Sequence, residues 1–247
     1  MQFLKTMVEI FINNREAFLR GTLMTILVSF IGTIVGLLIG MIIGIVRTTP
    51  PSKNKFLNVI LKLVKGLMNI YVQVLRGTPM IVQASLFFYG LQQYAQIDLS
   101  AMTSAFIVVS INTGAYMAEV VRGGIISIDK GQFEAAQALG MNHFKTMVYV
   151  VLPQAFRNII PAIGNEFIVN IKDTSVLNVI TVNELFYVTK TITTQNYKYF
   201  ETYLITSVIY LALTLTVASL LHLLEKKLKG PENYEMIEDL DVMRSGN

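Results

Sequence analysis

The long run between Arg20 and Arg47 contains no charged side chain. A helix of roughly 20 apolar residues is long enough to cross the hydrocarbon core of a bilayer. We therefore expect a first membrane-spanning helix over residues 21–46. Its glycines recur every fourth residue, at Gly32, Gly36, Gly40 and Gly44. Such a stripe of small residues predicts close contact with a neighbouring helix.

Four further apolar segments predict four more spans. We place the second from near Gly66 to Leu91, and the others over 101–121, 158–180 and 202–224. Charged residues make up only 15% of the chain, against about 25% in an ordinary soluble domain. These patterns predict an all-α integral membrane protein whose single transmembrane domain covers residues 21–229.

The two ends of the chain differ from this domain. Residues 1–20 mix apolar and charged side chains, which is typical of a helix lying on the membrane surface; a frayed polar leader is the alternative. Residues 230–247 are acidic, and we expect a mobile tail. The chain has no cysteine and only two well separated histidines, His143 and His222, so we expect no metal site and no cofactor.

The positive charges predict an orientation. Thirteen of the 20 Lys and Arg residues fall between spans one and two, between spans three and four, or after span five, and five spans place these three segments on one side. The segment between spans three and four contains the loop 122–153. Five cations fall on the other side, and Arg76 and Lys172 lie within the spans. Because basic loops remain cytoplasmic, we expect an external N-terminus and a cytoplasmic C-terminus. Cations spread in this way favour a membrane over a nucleic acid as the partner.

The cytoplasmic loop 122–153 contains a conspicuous small-residue helix pattern. Strong helix formers run from Glu134 to Leu139, and Gly140 then permits the positive φ of a helix end. We expect a short helix that docks in a groove of a partner protein; an ordinary interfacial helix is the alternative. The candidate docking residues are Glu134, Ala135, Ala136, Ala138, Leu139 and Gly140.

This loop resembles the EAA signature of the permease subunits of ABC importers, with Leu152-Pro153 following at the family's position. The resemblance to polar amino-acid permeases of the type I importers extends over about residues 20–225. It is carried by Arg76-Gly77-Thr78-Pro79, Asn112-Thr113-Gly114-Ala115-Tyr116, Pro153-Gln154-Ala155, Gly164-Asn165-Glu166 and Lys172-Asp173-Thr174-Ser175.

The resemblance implies the type I importer fold, with five transmembrane helices and a cytoplasmic coupling helix. It also implies a second permease subunit, identical or homologous, two ABC ATPase subunits and an extracellular substrate-binding protein. The implied cargo is an amino acid, polar or charged, such as glutamine, cystine or a basic amino acid.

Three ionisable residues, Glu166, Lys172 and Asp173, lie within the predicted fourth span. Charges at such depth are costly, and they mark a functional site by default. Glu166 and Asp173 share one helix face, while Asn165 and Lys172 share a neighbouring face to which Asn170 adds. A carboxylate can receive the ammonium of an amino acid and Lys172 its carboxylate. Alternatively, these charges pair with one another or across a dimer interface.

The segment Arg76, Gly77, Thr78 and Pro79 interrupts the predicted second span, because proline cannot continue a helix. Arg76 either anchors this break at the membrane surface or orders a gate. Gln83 either lines the substrate pathway or satisfies the backbone groups freed at the break. Glu119 and Arg122 are spaced for a salt bridge, with a part in coupling or gating as the alternative.

Nothing in the chain resembles a catalytic site, and it lacks the glycine-rich Lys-Ser/Thr loop that cradles nucleotide phosphates. We therefore expect a transport subunit rather than an enzyme, with ATP hydrolysed by a partner. An ion-coupled secondary transporter, in which Glu166 and Asp173 carry protons or sodium, is the alternative. A channel or structural membrane subunit is a third possibility.

Overall fold

The computed structural model describes residues 2–52 and 54–229, and every regular element in this part of the chain is helical. The predicted acidic tail, 230–247, lies outside the described residues. The nine α-helices are α1 (Gln2–Thr48), α2 (Lys55–Gly77), α3 (Met80–Gly90), α4 (Ala101–Ile126), α5 (Lys130–Ala138), α6 (His143–Thr146), α7 (Leu152–Asp173), α8 (Leu185–Asn196) and α9 (Tyr199–Lys229). Single π-helical turns follow α3 and α6, and a 3₁₀ segment, Thr174–Ile180, follows α7.

Within the described residues, five helical segments are long and apolar enough to cross a membrane. They are α1, α2, α4, the segment His143–Ile180 that contains α7, and α9. The all-helical fold is confirmed, and the second apolar helix begins before Gly66, the position near which we expect the second span to start. Helix α2 begins at Lys55, because its lysines lie on one face and its other faces are apolar, so the charges do not end the helix.

Helix α1 is continuous from Gln2 to Thr48, a length of about 70 Å. The structure therefore does not place a boundary at residue 20, and residues 2–20 are the N-terminal part of the first span's helix. That part is held by tertiary contacts: Ile10 and Phe18 pack in one buried cluster with Leu185 of α8 and Ile205 of α9. Local charge could not reveal this, because the partners lie far along the chain.

The glycine stripe of α1 lies directly against α4, as expected. A methyl group added at Gly36 would approach the Thr113 side chain to 2.8 Å, and one added at Gly44 would approach Val121 to 2.7 Å. At Gly40 the added carbon would come within 2.7 Å of the backbone carbonyl carbon of Met117. The absence of side chains thus allows the two helix backbones to come close along about three turns.

A buried asparagine joins three of the spanning helices. Asn170 of α7 donates to the Thr33 hydroxyl of α1 at 2.9 Å and accepts from the Thr113 hydroxyl of α4 at 3.1 Å. Only 4% of Asn170 is exposed, so the expectation that it extends the polar stripe of α7 is wrong. Its amide faces the core because both of its polar ends find partners there.

Glu184 forms a second buried polar junction, which the sequence analysis did not predict. Its carboxylate caps α8 by accepting the backbone N–H groups of Phe186 at 2.9 Å and Tyr187 at 2.6 Å. The Tyr210 hydroxyl of α9 donates to the same carboxylate at 3.0 Å. Thr25 of α1 accepts the N–H of the neighbouring Leu185 at 3.2 Å. This Glu184 junction therefore ties α1, α8 and α9 together.

Candidate functional site

The loop between α4 and α7 presents α5 as a separate short helix. Asp129 caps its first turn by accepting the N–H of Gly131 at 2.6 Å, and Leu139 and Gly140 close its last turn through bonds to the carbonyls of Ala135 and Gln137. Gly140 has φ of +78°, which confirms the expected positive φ at the helix end. A side chain there would be strained, so this turn depends on glycine.

The outer surface of α5 is open over most of the predicted docking residues. Glu134, Ala135, Ala138 and Gly140 are exposed, and Leu139 is 80% exposed. Ala136 differs, because it is only 4% exposed and faces the rest of the chain. Its side chain is therefore not available to a partner, and it belongs to the face that holds α5 on the protein.

An ion-pair cluster lies at the base of this loop. Arg122 Nε and a Glu119 carboxylate oxygen are 2.8 Å apart, so the expected pair is present. Arg47, at the end of α1, contacts the other oxygen of Glu119 at 2.7 Å. The side chains of Arg47 and Glu119 are only 15% and 22% exposed. The cluster thus fixes the C-terminal end of α4, where the loop begins, against α1.

Two amide side chains bond to the backbone groups left free at the helix break at Pro79. Gln83 Nε2 donates to the carbonyls of Leu75 and Thr78, both at 2.9 Å. The Leu75 carbonyl lacks its helical donor because Pro79 has no N–H, and the Thr78 carbonyl lacks one because the helix is interrupted there. Asn112 of α4 donates in turn to Gln83 Oε1 at 2.9 Å. The structure therefore favours the interpretation in which Gln83 bonds to the backbone groups freed at the break over the one in which it lines the substrate pathway.

The charged residues of α7 are not paired with one another. Glu166 is half-buried, whereas Asn165, Lys172 and Asp173 are exposed. Among the described residues, none of the three charged groups takes part in an ion pair. The alternative in which these charges pair with one another is therefore not what the structure has. Their polar groups are available for other partners.

Arg76, near the end of α2, lies over an aromatic ring of α4. Its guanidinium is 5.3 Å from the centre of the Tyr116 ring, a cation–π distance. Helix α4 also packs against α7, the helix that carries Glu166, Lys172 and Asp173. Lys172 lines a cavity of about 370 Å³ with Ser175, Phe186 and Tyr203. Two acids and one cation therefore lie within eight residues of α7, and Arg76 lies on a helix that packs against the same α4.

The combination of membrane-spanning helices with the exposed short helix α5 agrees with a comparison to known families. Residues 36–230 match the profile of the family described as "Binding-protein-dependent transport system inner membrane component". The chain belongs to this family. It is a multi-pass membrane permease subunit with the type I importer fold, as its resemblance implied.

Known relatives of the permease carry amino acids. It is 38% identical over 161 residues to the glutamine transport system permease GlnP of Escherichia coli, covering 65% of this chain and 74% of GlnP. It is 37% identical over 162 residues to the arginine transport system permease ArtQ of Bacillus subtilis, covering 66% and 74%. It also matches a crystal structure of an amino acid ABC transporter with histidines, with a TM-score of 0.80, 36% identity, and coverage of 92% and 99%.

The sequence assigned no individual role to three residues of the permease that take part in these sites. Asn112 and Tyr116 were noted only within a motif that resembles the family's, and Arg47 only as a basic residue at the end of a charge-free run. Each acts through a residue far along the chain: Gln83, Arg76 and Glu119 respectively. A usable signal was the polar or charged character of these positions at the ends of, or inside, apolar segments.

Proposed function

We propose that this permease is the membrane-spanning half of an ATP-driven importer of amino acids, coupled to separate ABC ATPase subunits through α5. The observation that carries the proposal is the geometry of α5. It is a short helix held at its inward face by Ala136, closed by the glycine turn at Gly140, and otherwise exposed. Family membership supports the same role, because binding-protein-dependent permeases contain no nucleotide site of their own.

The position of α5 suits the transmission of force. The loop that carries α5 begins at Ile126, where α4 ends, and leads back into α7. The cluster of Arg47, Glu119 and Arg122 stiffens the end of α4 from which this loop starts. Movement of a partner bound to α5 is thereby passed to two spanning helices at once. Substituting Glu134 or Gly140 is accordingly expected to uncouple ATP hydrolysis from transport without changing membrane insertion.

The amino-acid cargo is supported by the charges near Glu166 and by the relatives. An amino acid presents one ammonium and one carboxylate, and the site offers both acids and cations to receive them. Glu166 and Asp173 suit the ammonium, while Arg76 and Lys172 suit the carboxylate. The names of GlnP, ArtQ and the histidine-bound transporter agree in the class of cargo but differ in the side chain, so we propose the class alone.

The remaining parts of the proposed assembly follow from the resemblance and the charge distribution. A second permease subunit, identical or homologous, completes the pathway, and an extracellular binding protein delivers the amino acid. The N-terminus lies outside and the C-terminus in the cytoplasm, because most cations then remain on the inner side. Each membrane-facing apolar surface contacts lipid.

The ion-coupled alternative is not favoured. It required Glu166 and Asp173 to carry protons or sodium in a self-sufficient transporter. The matching family instead consists of inner-membrane components of binding-protein-dependent systems, and the matched solved structure is an ABC transporter.

A pair of alanines allows a matched test of the docking proposal. Ala138 is exposed at the end of α5, and Ala95 is exposed at the end of the π-helical turn after α3. In the complete importer, Ala138→Trp is expected to abolish copurification of the ATPase and to reduce ATP-driven uptake at least tenfold, because an indole cannot enter a groove shaped for a methyl group. Ala95→Trp is expected to retain both, with equal amounts of each variant in the membrane.

Uptake at the unaltered rate by Ala138→Trp would remove α5 as the coupling element. Uptake driven by an ion gradient in liposomes that contain the permease without any ATPase would contradict the proposal as a whole.

A further inference from the structure

Helix α2 carries a polar stripe along almost its entire length. Six residues fall within an arc of about 60° on a helix of 3.6 residues per turn, and they extend over about 32 Å. They are Lys55, Asn58, Lys62, Asn69, Gln73 and Arg76, and we call them the α2 polar stripe. Except for half-buried Asn58, all of them are exposed. A membrane-spanning helix is not expected to present such a stripe to lipid, because polar groups in hydrocarbon are costly.

The opposite side of α2 is what a lipid-facing surface requires. Leu63, Leu67, Ile70 and Val74 are 53–69% exposed and cluster about 120° from the polar stripe. The packed edge of the helix, with Val72 buried at 2% exposure, contacts α4. Helix α2 therefore has three distinct faces: one for α4, one for lipid and one whose partner must be polar.

The α2 polar stripe ends beside α4, which in turn packs against the charged helix α7. Its outer end is Arg76, which lies over the Tyr116 ring of α4. Its other end is Lys55, at the start of the helix that follows the basic, inner-side segment. In the middle, the amides of Asn69 and Gln73 do not take part in the side-chain hydrogen bonds that α2 makes within the described residues. Exposed amides of this kind need either water or the polar groups of another chain.

We propose that the α2 polar stripe lines one wall of a water-filled exit route, which runs from the charged site at Glu166 and Arg76 to the cytoplasm. This inference rests on the proposed function, since it takes the charged region as the cargo site and the α5 side as the cytoplasm. Asn69 and Gln73 offer donors and acceptors but no charge. They can therefore hydrate a passing amino acid without retaining it, whereas Lys62 and Lys55 lie where the route opens.

Direct packing of the stripe against another protein surface is the competing arrangement. It would need complementary polar groups along 32 Å (about six turns), and it would exclude water from Asn69 and Gln73. A route predicts the reverse, namely that these two positions react with small charged reagents and that α2 has one reactive and one unreactive exposed face.

The chain has no cysteine, so single cysteines can be introduced without background. In the complete importer in inside-out membrane vesicles, we expect a charged, membrane-impermeant methanethiosulfonate to modify Asn69→Cys and Gln73→Cys. Matched controls are Leu67→Cys and Ile70→Cys, which are also exposed but lie on the apolar face. We expect modification at least tenfold faster on the stripe. We expect loss of the ATP-driven transport of amino acid, loaded with binding protein in the vesicle lumen, only when the stripe positions are modified.

Equal rates on the two faces, or no modification of either, would overturn the exit route. So would oxidation of Asn69→Cys to a disulfide between two copies, since this would place the stripe in a packed interface. These outcomes are separable from failure of the proposed function: the unlabelled cysteine-free importer still shows ATP-driven uptake if only the route is wrong, and shows none if the importer assignment is wrong.

Discussion

Helices α1 and α2 both span the membrane and both pack against α4, yet they are held very differently. Helix α1 has twelve buried residues, and its glycines contact the α4 backbone directly. Helix α2 has one buried residue, Val72. Its polar links to the rest of the chain are few, and include the bond from the Tyr71 hydroxyl to the Ile111 carbonyl of α4 at 2.6 Å.

This difference indicates that α1 is part of a fixed scaffold, whereas α2 is a helix that can move. Helix α1 is fixed in its middle, at Thr25, by the Glu184 junction, along its second half by the glycine stripe, and at its C-terminal end by Arg47 on Glu119. Helix α2 is attached along one edge, and the break at Pro79 separates it from α3. A transport cycle that changes the access of a central site requires some helices to shift while others remain in place, and α2 is suited to shift.

The largest effect is expected from crowding the contact between α1 and α4. A Gly40→Leu substitution places a side chain where even a methyl group would meet the backbone of Met117. Overpacking of this kind costs about 3 kcal/mol, the upper part of the usual range. We expect a clear fall in the melting temperature of the purified permease, measured by fluorescence-detected unfolding in detergent.

The same substitution at Gly66 of α2 provides the control. No atom lies within 4 Å of a methyl group added there, so Gly66→Leu is expected to leave the melting temperature within a degree or two. Similar destabilisation by both variants would show that α2 is as tightly packed as α1, and the comparison would fail.

Features set by short segments of chain were predictable from the sequence. The glycine stripe of α1 has a fixed four-residue spacing, and its contact with a neighbouring helix followed from that spacing. The positive φ of Gly140 followed from a run of helix formers ending in glycine. The number of spans followed from the lengths of the apolar segments, since each span must satisfy its own backbone.

Features that depend on distant partners were not predictable in this way. Asn170 was placed on the polar side of α7, but its amide turns inward because Thr33 and Thr113 are there to receive it. Helix α2 begins eleven residues before Gly66, the expected start of the second span, because its lysines share one face and do not end the helix. Glu184 was overlooked, since a capping glutamate in a polar loop has no distinguishing pattern until Tyr210 and Thr25 are brought to it.

The Glu184 junction allows a pH test of the contact that holds the middle of α1, with an intermediate effect. Burial raises the pKa of the Glu184 carboxyl above its ordinary value of 4.5. Above pH 4.5 the folded permease therefore binds more protons at this group than the unfolded chain, and the free energy of unfolding falls as the pH rises toward the folded pKa. The slope from this group is at most about 1.4 kcal/mol per pH unit.

The measurement is the difference in melting temperature between the unaltered permease and Glu184→Gln as a function of pH, so that contributions of other carboxyl groups cancel. The advantage of glutamate over glutamine is expected to shrink as the pH rises from 4.5. An advantage that grows over that range would mean that the hydrogen bonds from Phe186, Tyr187 and Tyr210 outweigh burial, and that the junction holds a fully ionised carboxylate.

The smallest effect is expected from removing one hydrogen bond that holds α2. Tyr71→Phe keeps the ring on α4 but deletes the bond to the Ile111 carbonyl, a loss of about 0.5–1 kcal/mol. Global stability should hardly change, because α2 contributes little to the core. Hydrogen exchange followed by mass spectrometry should instead show faster exchange in peptides from residues 55–77, with exchange in 21–47 unchanged. Equal acceleration in both helices would mean that α2 opens only together with α1, and α2 could not then move against a fixed scaffold.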